Sequence, residues 1–334
     1  MNRPASTLTS YAVAIARAID SYGIDSSTLF SQAALDVQAM RNPNARYPDS
    51  VLAGLVRQVV LTTRDHAFGL RIARYIEPTT LHALGFSLLA SQSLYSALLR
   101  LARYHPIVSD GITLRFAALA DGYLLSLEAA EADSSFELCE ALLAGIVGFC
   151  RRLHRGDFSP RQVSLRRPRP DDVTPFADFF KAPIAFDAVE DTLLFDQATI
   201  EAELPTGNAE LAYQNDKIVA DYLARFDPGR LSERVRTLFI DRLPTGKFSE
   251  DQIAEELQIS LRSLQRRLRD EQTSYQQLLD ETRLDLALQY INRSRLSVAQ
   301  IAELLGFSDS SNFNRAFKRW LGISPQKYRA LGFA

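Results

Sequence analysis

Two stretches near the C-terminus, FSEDQIAEELQISLRSLQRRLRDE from Phe248 and LSVAQIAELLGFSDSSNFNRAFKRW from Leu296, can be laid over one another residue by residue. Ser249 pairs with Ser297, Gln252 with Gln300, Ile253-Ala254-Glu255 with Ile301-Ala302-Glu303, Leu257 with Leu305, and Ser260 with Ser308. One extra residue after Ser308 then brings Gln265-Arg266 onto Asn314-Arg315 and Arg269 onto Lys318. Each copy opens with Ser-x-x-Gln, a capping box in which side chain and backbone satisfy each other's free groups at a helix start. A short helix, a turn and a second capping serine, Ser260 or Ser308, follow. Each copy predicts a helix-turn-helix unit, at about residues 249–271 and about 297–321.

Helical periodicity sorts the second helix of each copy into two faces. Leu261, Leu264 and Leu268 share one side in the first copy, opposite Arg262, Gln265, Arg266 and Arg269. In the second, Phe313, Phe317 and Trp320 oppose Ser311, Asn314, Arg315 and Lys318. A lone amphipathic helix usually has a merely solvated polar face. Here the donors recur in both copies and are the types that read base edges, Arg on guanine and Gln or Asn on adenine. The serine-capped N-termini suit phosphate; Ser260 and Ser308 read first as caps and second as phosphate partners, and Arg267 and Arg319, at the flanks of the polar faces, are further phosphate candidates. The stretch 274–294 between the units reads as one helix, in which about 18 helical residues span roughly 27 Å. Successive major-groove faces lie roughly 34 Å apart, so one chain presents reading helices to two adjacent segments of double-stranded DNA.

The remainder is less specific. With 46% hydrophobic and 23% charged residues the chain is a folded globular protein, and 334 residues suggest two domains. The net charge of −2 conceals an asymmetry: from Arg230 onward 17 Lys and Arg face 13 Asp and Glu, net +4, leaving −6 before it. No apolar run approaches a membrane span and MNRPASTLTS has no signal-peptide core, which predicts a cytoplasmic protein without a membrane partner. Cys139 and Cys150, eleven residues apart on one predicted helix, are too distant for a disulfide. The four histidines lack metal-ligand spacing and no hydrolase, nucleotide-loop or metalloprotease motif occurs, so neither enzyme activity nor a cofactor or metal is expected.

Residues 8–22, 49–63 and 80–105 carry helical apolar spacing, and 135–154 predicts a long helix. ITLRF, YLLSLE, VSLRR, AIAFD and TLLFD read as short strands. The expected fold class is an α+β N-terminal domain, mostly helical with a small sheet, followed by an all-α DNA-binding domain of two helix-turn-helix units. The domains expected are 1–200 for effector sensing or dimerisation, a linker at 201–230 broken at Asp227-Pro228-Gly229, and 231–334 for DNA binding.

The stretches ETRLDLAL, SVAQIAELLGFSDSSNFNRAFKRWLG and ISPQKYR resemble the DNA-binding domain of the AraC/XylS family of transcription regulators, over about residues 231–329. SYAVAIARAIDSYGID, FGLRIARYI, LGFSLLASQSLYSALLRLARYH and FFKAPIAFDAVEDTLLFDQATI resemble the effector region of the family's ornithine-utilisation-regulator subgroup. The start of the chain departs from the strand-rich, histidine-bearing arabinose-binding barrel, which speaks against a sugar effector. The resemblance implies base reading by Arg262, Gln265, Arg266, Ser310, Ser311, Asn314 and Arg315. Arg269 and Lys318 join the phosphate contacts named above. Ile301, Gly306, Phe307, Phe313, Phe317 and Pro325 are implied as framework. It also implies a small-molecule effector, transcriptional activation with RNA polymerase as a partner, and a homodimer.

Two other features carry chemistry. Arg103, Tyr104 and His105, at a helix-to-strand transition, are the candidate effector contacts. Seven arginines between 151 and 169 suit an anionic effector or extra DNA backbone contacts, but the preferred reading pairs them with acidic groups of their own domain. Two alternatives stay open: a constitutive DNA-binding regulator whose N-terminal domain only dimerises, and an enzyme with a DNA-binding tail.

Overall fold

Apolar spacing of three and four residues organises most of the first half of the chain, and period-two alternation interrupts it once. The computed structural model describes residues 4–42, 44–129, 135–154, 157–226, 231–246, 249–271, 273–291, 296–321 and 323–330. They divide into two compact units, Met1–Leu89 with Ser93–Thr206, and Ala90–Gln92 with Gly207–Ala334. Among the described residues no helix is long and apolar enough to cross a membrane.

The first unit runs β1 (Ser6–Leu8), α1 (Thr9–Asp20), α2 (Ser26–Gln32), β2 (Arg46–Pro48), α3 (Asp49–Thr63), α4 (Phe68–Ala73), α5 (His82–Leu89), α6 (Leu94–Tyr104), β3 (Ile112–Leu119), β4 (Gly122–Ala129), α7 (Phe136–His154), β5 (Gln162–Ser164), α8 (Thr174–Phe180), β6 (Ile184–Ala185), β7 (Asp191–Asp196) and α9 (Gln197–Glu201). The run 80–105, expected as one helical stretch, is two helices. Ser93 forms a capping box with Ser96 and starts α6 afresh, because side-chain caps compete with helix continuation.

β3 and β4 form a hairpin from Leu119↔Gly122 to Ile112↔Ala129, and β7 joins β4 antiparallel. The five-stranded order is β3-β4-β7-β5-β6, while β1 and β2 pair separately. Helix α7 packs against α3, α4, α6, α8 and β7. Its Ala141, Leu143, Ala144 and Val147 are wholly buried, and Cys139 and Cys150 are free thiols in the same helix. Helix α4 approaches so closely that a Cβ on Gly69 would stand 2.4 Å from the Glu137 carbonyl oxygen.

The second unit contains α10 (Ala209–Phe226), α11 (Leu231–Arg242), α12 (Glu250–Glu256), α13 (Leu261–Asp270), α14 (Tyr275–Ile291), α15 (Val298–Leu304), α16 (Ser310–Leu321) and α17 (Pro325–Ala330). Much of the segment read as a linker is thus helix, and α10 packs on α11 and α14. The break at Asp227-Pro228-Gly229 lies outside the described residues. Glu271, just past α13, caps α11 by accepting the N–H groups of Leu231 at 2.6 Å and Ser232 at 2.9 Å. Free N–H groups at a helix start and an incoming carboxylate satisfy one another.

Candidate functional site

Both repeats fold as helix-turn-helix pairs by the same local chemistry. In the first, the Ser249 N–H donates to Gln252 Oε1 at 2.9 Å and the Gln252 N–H to Ser249 Oγ at 3.3 Å. In the second, Ser297 donates to Gln300 Oε1 at 2.8 Å and Gln300 to Ser297 Oγ at 3.2 Å. Each first helix then stops at a residue in the left-handed conformation, Gln258 at φ 57° and Gly306 at φ 66°. The return bonds are equivalent too: Ile259 N–H to the Ala254 carbonyl at 3.0 Å, Phe307 N–H to that of Ala302 at 2.9 Å.

The second helices differ at their starts. Ser260 Oγ accepts the Ser263 N–H at 3.2 Å and caps α13 as expected. At α16 the expected cap, Ser308, is displaced by its neighbour: Asp309 Oδ1 accepts the Asn312 N–H at 2.8 Å. The extra residue of the second copy moves the helix start by one, and a carboxylate is the stronger acceptor for a positive helix end. That bond, first among several, holds the Asp309 carboxyl below its ordinary range. Ser308 instead donates to Asp309 Oδ2 and accepts from Asn312 Nδ2 at 2.7 Å.

Anchoring follows the expected faces at four of the six positions, while Leu261 and Trp320 are half-buried. Leu264, Leu268, Phe313 and Phe317 are wholly inaccessible to solvent. Opposite them, Arg262, Gln265, Arg266 and Arg269 of α13 are exposed, as are Ser311, Arg315 and Lys318 of α16; Ser310 and Asn314 are half-buried. Some of these donors already have partners. Gln265 Nε2 donates to Glu250 Oε1 at 3.2 Å, and Arg315 Nη2 to Asn312 Oδ1 at 2.5 Å. Arg319 pairs with Asp280 of α14 at 2.9 Å, and Arg267 is half-buried and engaged within the fold.

Three residues escaped the sequence reading. Asp309 and Asn312 form a polar start to α16, signalled only by Asp-x-x-Asn. Arg283 of α14 clamps the second turn, donating from Nε to the Leu305 carbonyl at 2.9 Å and from Nη2 to that of Gly306 at 3.0 Å. Its guanidinium also lies 4.4 Å from the Phe307 ring centroid, and burial lowers its pKa.

The first unit contains a cavity of about 170 Å³ bounded by β1, α1, α3, α7 and the α6–β3 connection. Its polar wall is cross-linked. Asp49 accepts from Thr7 Oγ1 at 2.6 Å and from Ser109 Oγ at 3.2 Å. Arg46 donates to the carbonyls of Ile107 and Ser6, both at 2.7 Å, and lies 4.0 Å from Asp110. Burial raises the Asp49 pKa, opposed by the Thr7 and Ser109 hydroxyls. His105 lines this cavity, hydrogen-bonds the Ile112 carbonyl through Nδ1 at 3.2 Å, and is pushed down to about 4 by burial. Arg103 and Tyr104 lie outside the lining; Tyr104 is buried with the Arg103 guanidinium 4.9 Å from its ring centroid.

The arginine run is spent on its own domain. Arg152 meets Glu77 at 2.9 Å, Arg161 Asp121 at 3.0 Å, Arg166 Asp191 at 2.8 Å and Arg167 Glu140 at 2.9 Å, while Arg151 donates to the Phe158 and Phe180 carbonyls. Arg155 lies outside the described residues.

Comparison with known proteins gives two family matches. Residues 23–204 match the arabinose-binding domain of AraC transcription regulator, N-terminal, and residues 253–331 a helix-turn-helix domain. The ornithine utilization regulator of Pseudomonas aeruginosa is 29% identical over 96% of this chain and 95% of its own. The HTH-type transcriptional regulator VirS of Mycobacterium tuberculosis is 28% identical over 84% of each. Among solved structures, the transcriptional regulator CdpR from Pseudomonas aeruginosa aligns with 91% of this chain and 96% of its own, at 22% identity and TM-score 0.45.

Proposed function

The chain belongs to the AraC family of transcription regulators, with an effector-binding N-terminal domain and a helix-turn-helix DNA-binding domain, and from this we propose how it acts. Helices α13 and α16 enter adjacent major-groove segments. Arg262, Gln265 and Arg266 read bases at one, and Ser310, Ser311, Asn314 and Arg315 at the other. Ser260, Arg269, Ser308 and Lys318 meet phosphates; Arg267 and Arg319 join them once DNA competes with their present partners. The observation that carries this reading is the matched pair of helices, anchored by the fully buried Leu264 and Leu268 in one and Phe313 and Phe317 in the other, with most of their donors on the exposed side.

A small molecule in the cavity of the first unit shifts the population of the DNA-competent state, which requires different affinity for the two states. The protein acts in the cytoplasm as an activator that contacts RNA polymerase, and as a homodimer. Selection of bound sites from random duplexes, followed by titration of variants, tests the readers. Arg266→Ala and Arg315→Ala should each cost about 1–3 kcal/mol at the selected site and relax preference at one base. Specific binding unchanged in both variants sinks the assignment.

A further inference from the structure

We infer that the cavity of the first unit takes a small organic cation, whose ammonium group is held by the Asp49 carboxylate and whose hydrocarbon part lies against Leu52 and Leu142. The inference rests on the reading of this unit as the effector-binding domain and names the ligand class for it.

Size comes first. An apolar cavity of about 150 Å³ admits benzene, so about 170 Å³ holds a ligand of roughly six to ten heavy atoms. A ligand that small gains little from area alone and must be fixed by a few well-placed polar groups. Among the described lining residues, one carboxylate serves that purpose. Asp49 begins α3, and its direct partners are the Thr7 and Ser109 hydroxyls. Gly111 makes room for it, because a Cβ there would stand 2.0 Å from Asp49 Oδ2.

The charges around the carboxylate decide the sign of the ligand. Arg46 is turned onto backbone carbonyls and Asp110, and its side chain is only 4% exposed. Arg57 also lines the cavity but is exposed, where water screens a charge. The remaining titratable groups among the described lining residues, His105, Tyr11 and Cys139, are buried. Among the described lining residues Asp49 is therefore the charge that a ligand meets with least solvent in between, and a half-buried carboxylate gains most from an ammonium partner that donates hydrogen bonds. Thr7 and Ser109 orient the carboxylate, and Leu52, Ala53, Leu138 and Leu142 receive the alkyl chain.

Three six-carbon probes separate the possibilities: hexylamine, hexan-1-ol and hexanoate, each titrated against the full-length protein by thermal unfolding. Hexylamine near ten times its Kd should raise Tm by about 2–4 °C, and the other two should not. The shift should vanish in Asp49→Asn, which keeps the side-chain shape and removes the charge, and in Ala53→Leu, which fills the apolar end and leaves Asp49 intact. Equal shifts from all three probes, a shift from hexanoate alone, a hexylamine shift that survives Asp49→Asn, or no shift from any probe overturns the inference. The effector reading falls separately, if a broad metabolite panel leaves operator binding unchanged.

Discussion

Gly306 and Gln258 occupy equivalent turns in the same left-handed conformation, yet the two positions are not interchangeable. A Cβ at Gly306 would lie 3.0 Å from the Leu243 carbonyl oxygen, so a side chain there meets backbone as well as φ strain. Gly306→Ala should destabilise the second unit by about 1–3 kcal/mol. Gln258→Gly should change stability by less than about 1 kcal/mol, because relieved strain offsets the entropy glycine gains when unfolded. Denaturant titration of both variants checks the contrast. His105 predicts a pH effect. Its pKa falls from the ordinary 6.5 to about 4 on folding, so its share of stability is complete above pH 6.5 and is lost as pH falls toward 4. Between pH 7 and pH 5 the loss should be about 2 kcal/mol, and His105→Gln should flatten that slope.

At the scale of elements, the second helices of the two helix-turn-helix units are supported differently. Glu271, the residue after α13, caps α11, whereas the turn before α16 is clamped by Arg283. Arg283→Ala removes two charge-assisted hydrogen bonds to the Leu305 and Gly306 carbonyls, at about 1.5–3 kcal/mol each. It should weaken binding at the half-site read by α16 while leaving the other half-site's footprint intact. Asp309→Ala should fray the start of α16 at a cost of about 1 kcal/mol, whereas Ser308→Ala should be nearly neutral, as amide exchange at Asn312 would register. These elements were largely legible, because capping boxes and three-four spacing are local signals. Ser308 or Asp309 as cap was not, since adjacent acceptors compete and one register step of α16 decides between them. Nor was the cavity, whose wall joins Thr7, Asp49, Ser109 and Leu142 from four distant segments. Of the candidate effector contacts, only His105 lines it.

On the scale of the whole chain, a net charge of −2 hides a +4 excess from Arg230 onward, and DNA affinity should follow the local value. With two to four cations on phosphate, the plot of log K against log salt should slope by about −2 to −4. Lys318→Ala should make it shallower by about one and weaken all sequences alike. Effector and DNA are linked reciprocally: a ligand that tightens operator binding tenfold must itself bind tenfold tighter to the DNA complex, which calorimetry with and without the duplex measures. One feature of α13 and α16 reaches beyond the single molecule. Arg262, Arg266, Ser311 and Arg315 lie outside the apolar packing that holds α13 and α16, while Leu264, Leu268, Phe313 and Phe317 carry it. On the proposed reading, descendants of such a chain could exchange the first set one residue at a time without endangering the frame, so that promoter preference would drift more easily than the scaffold.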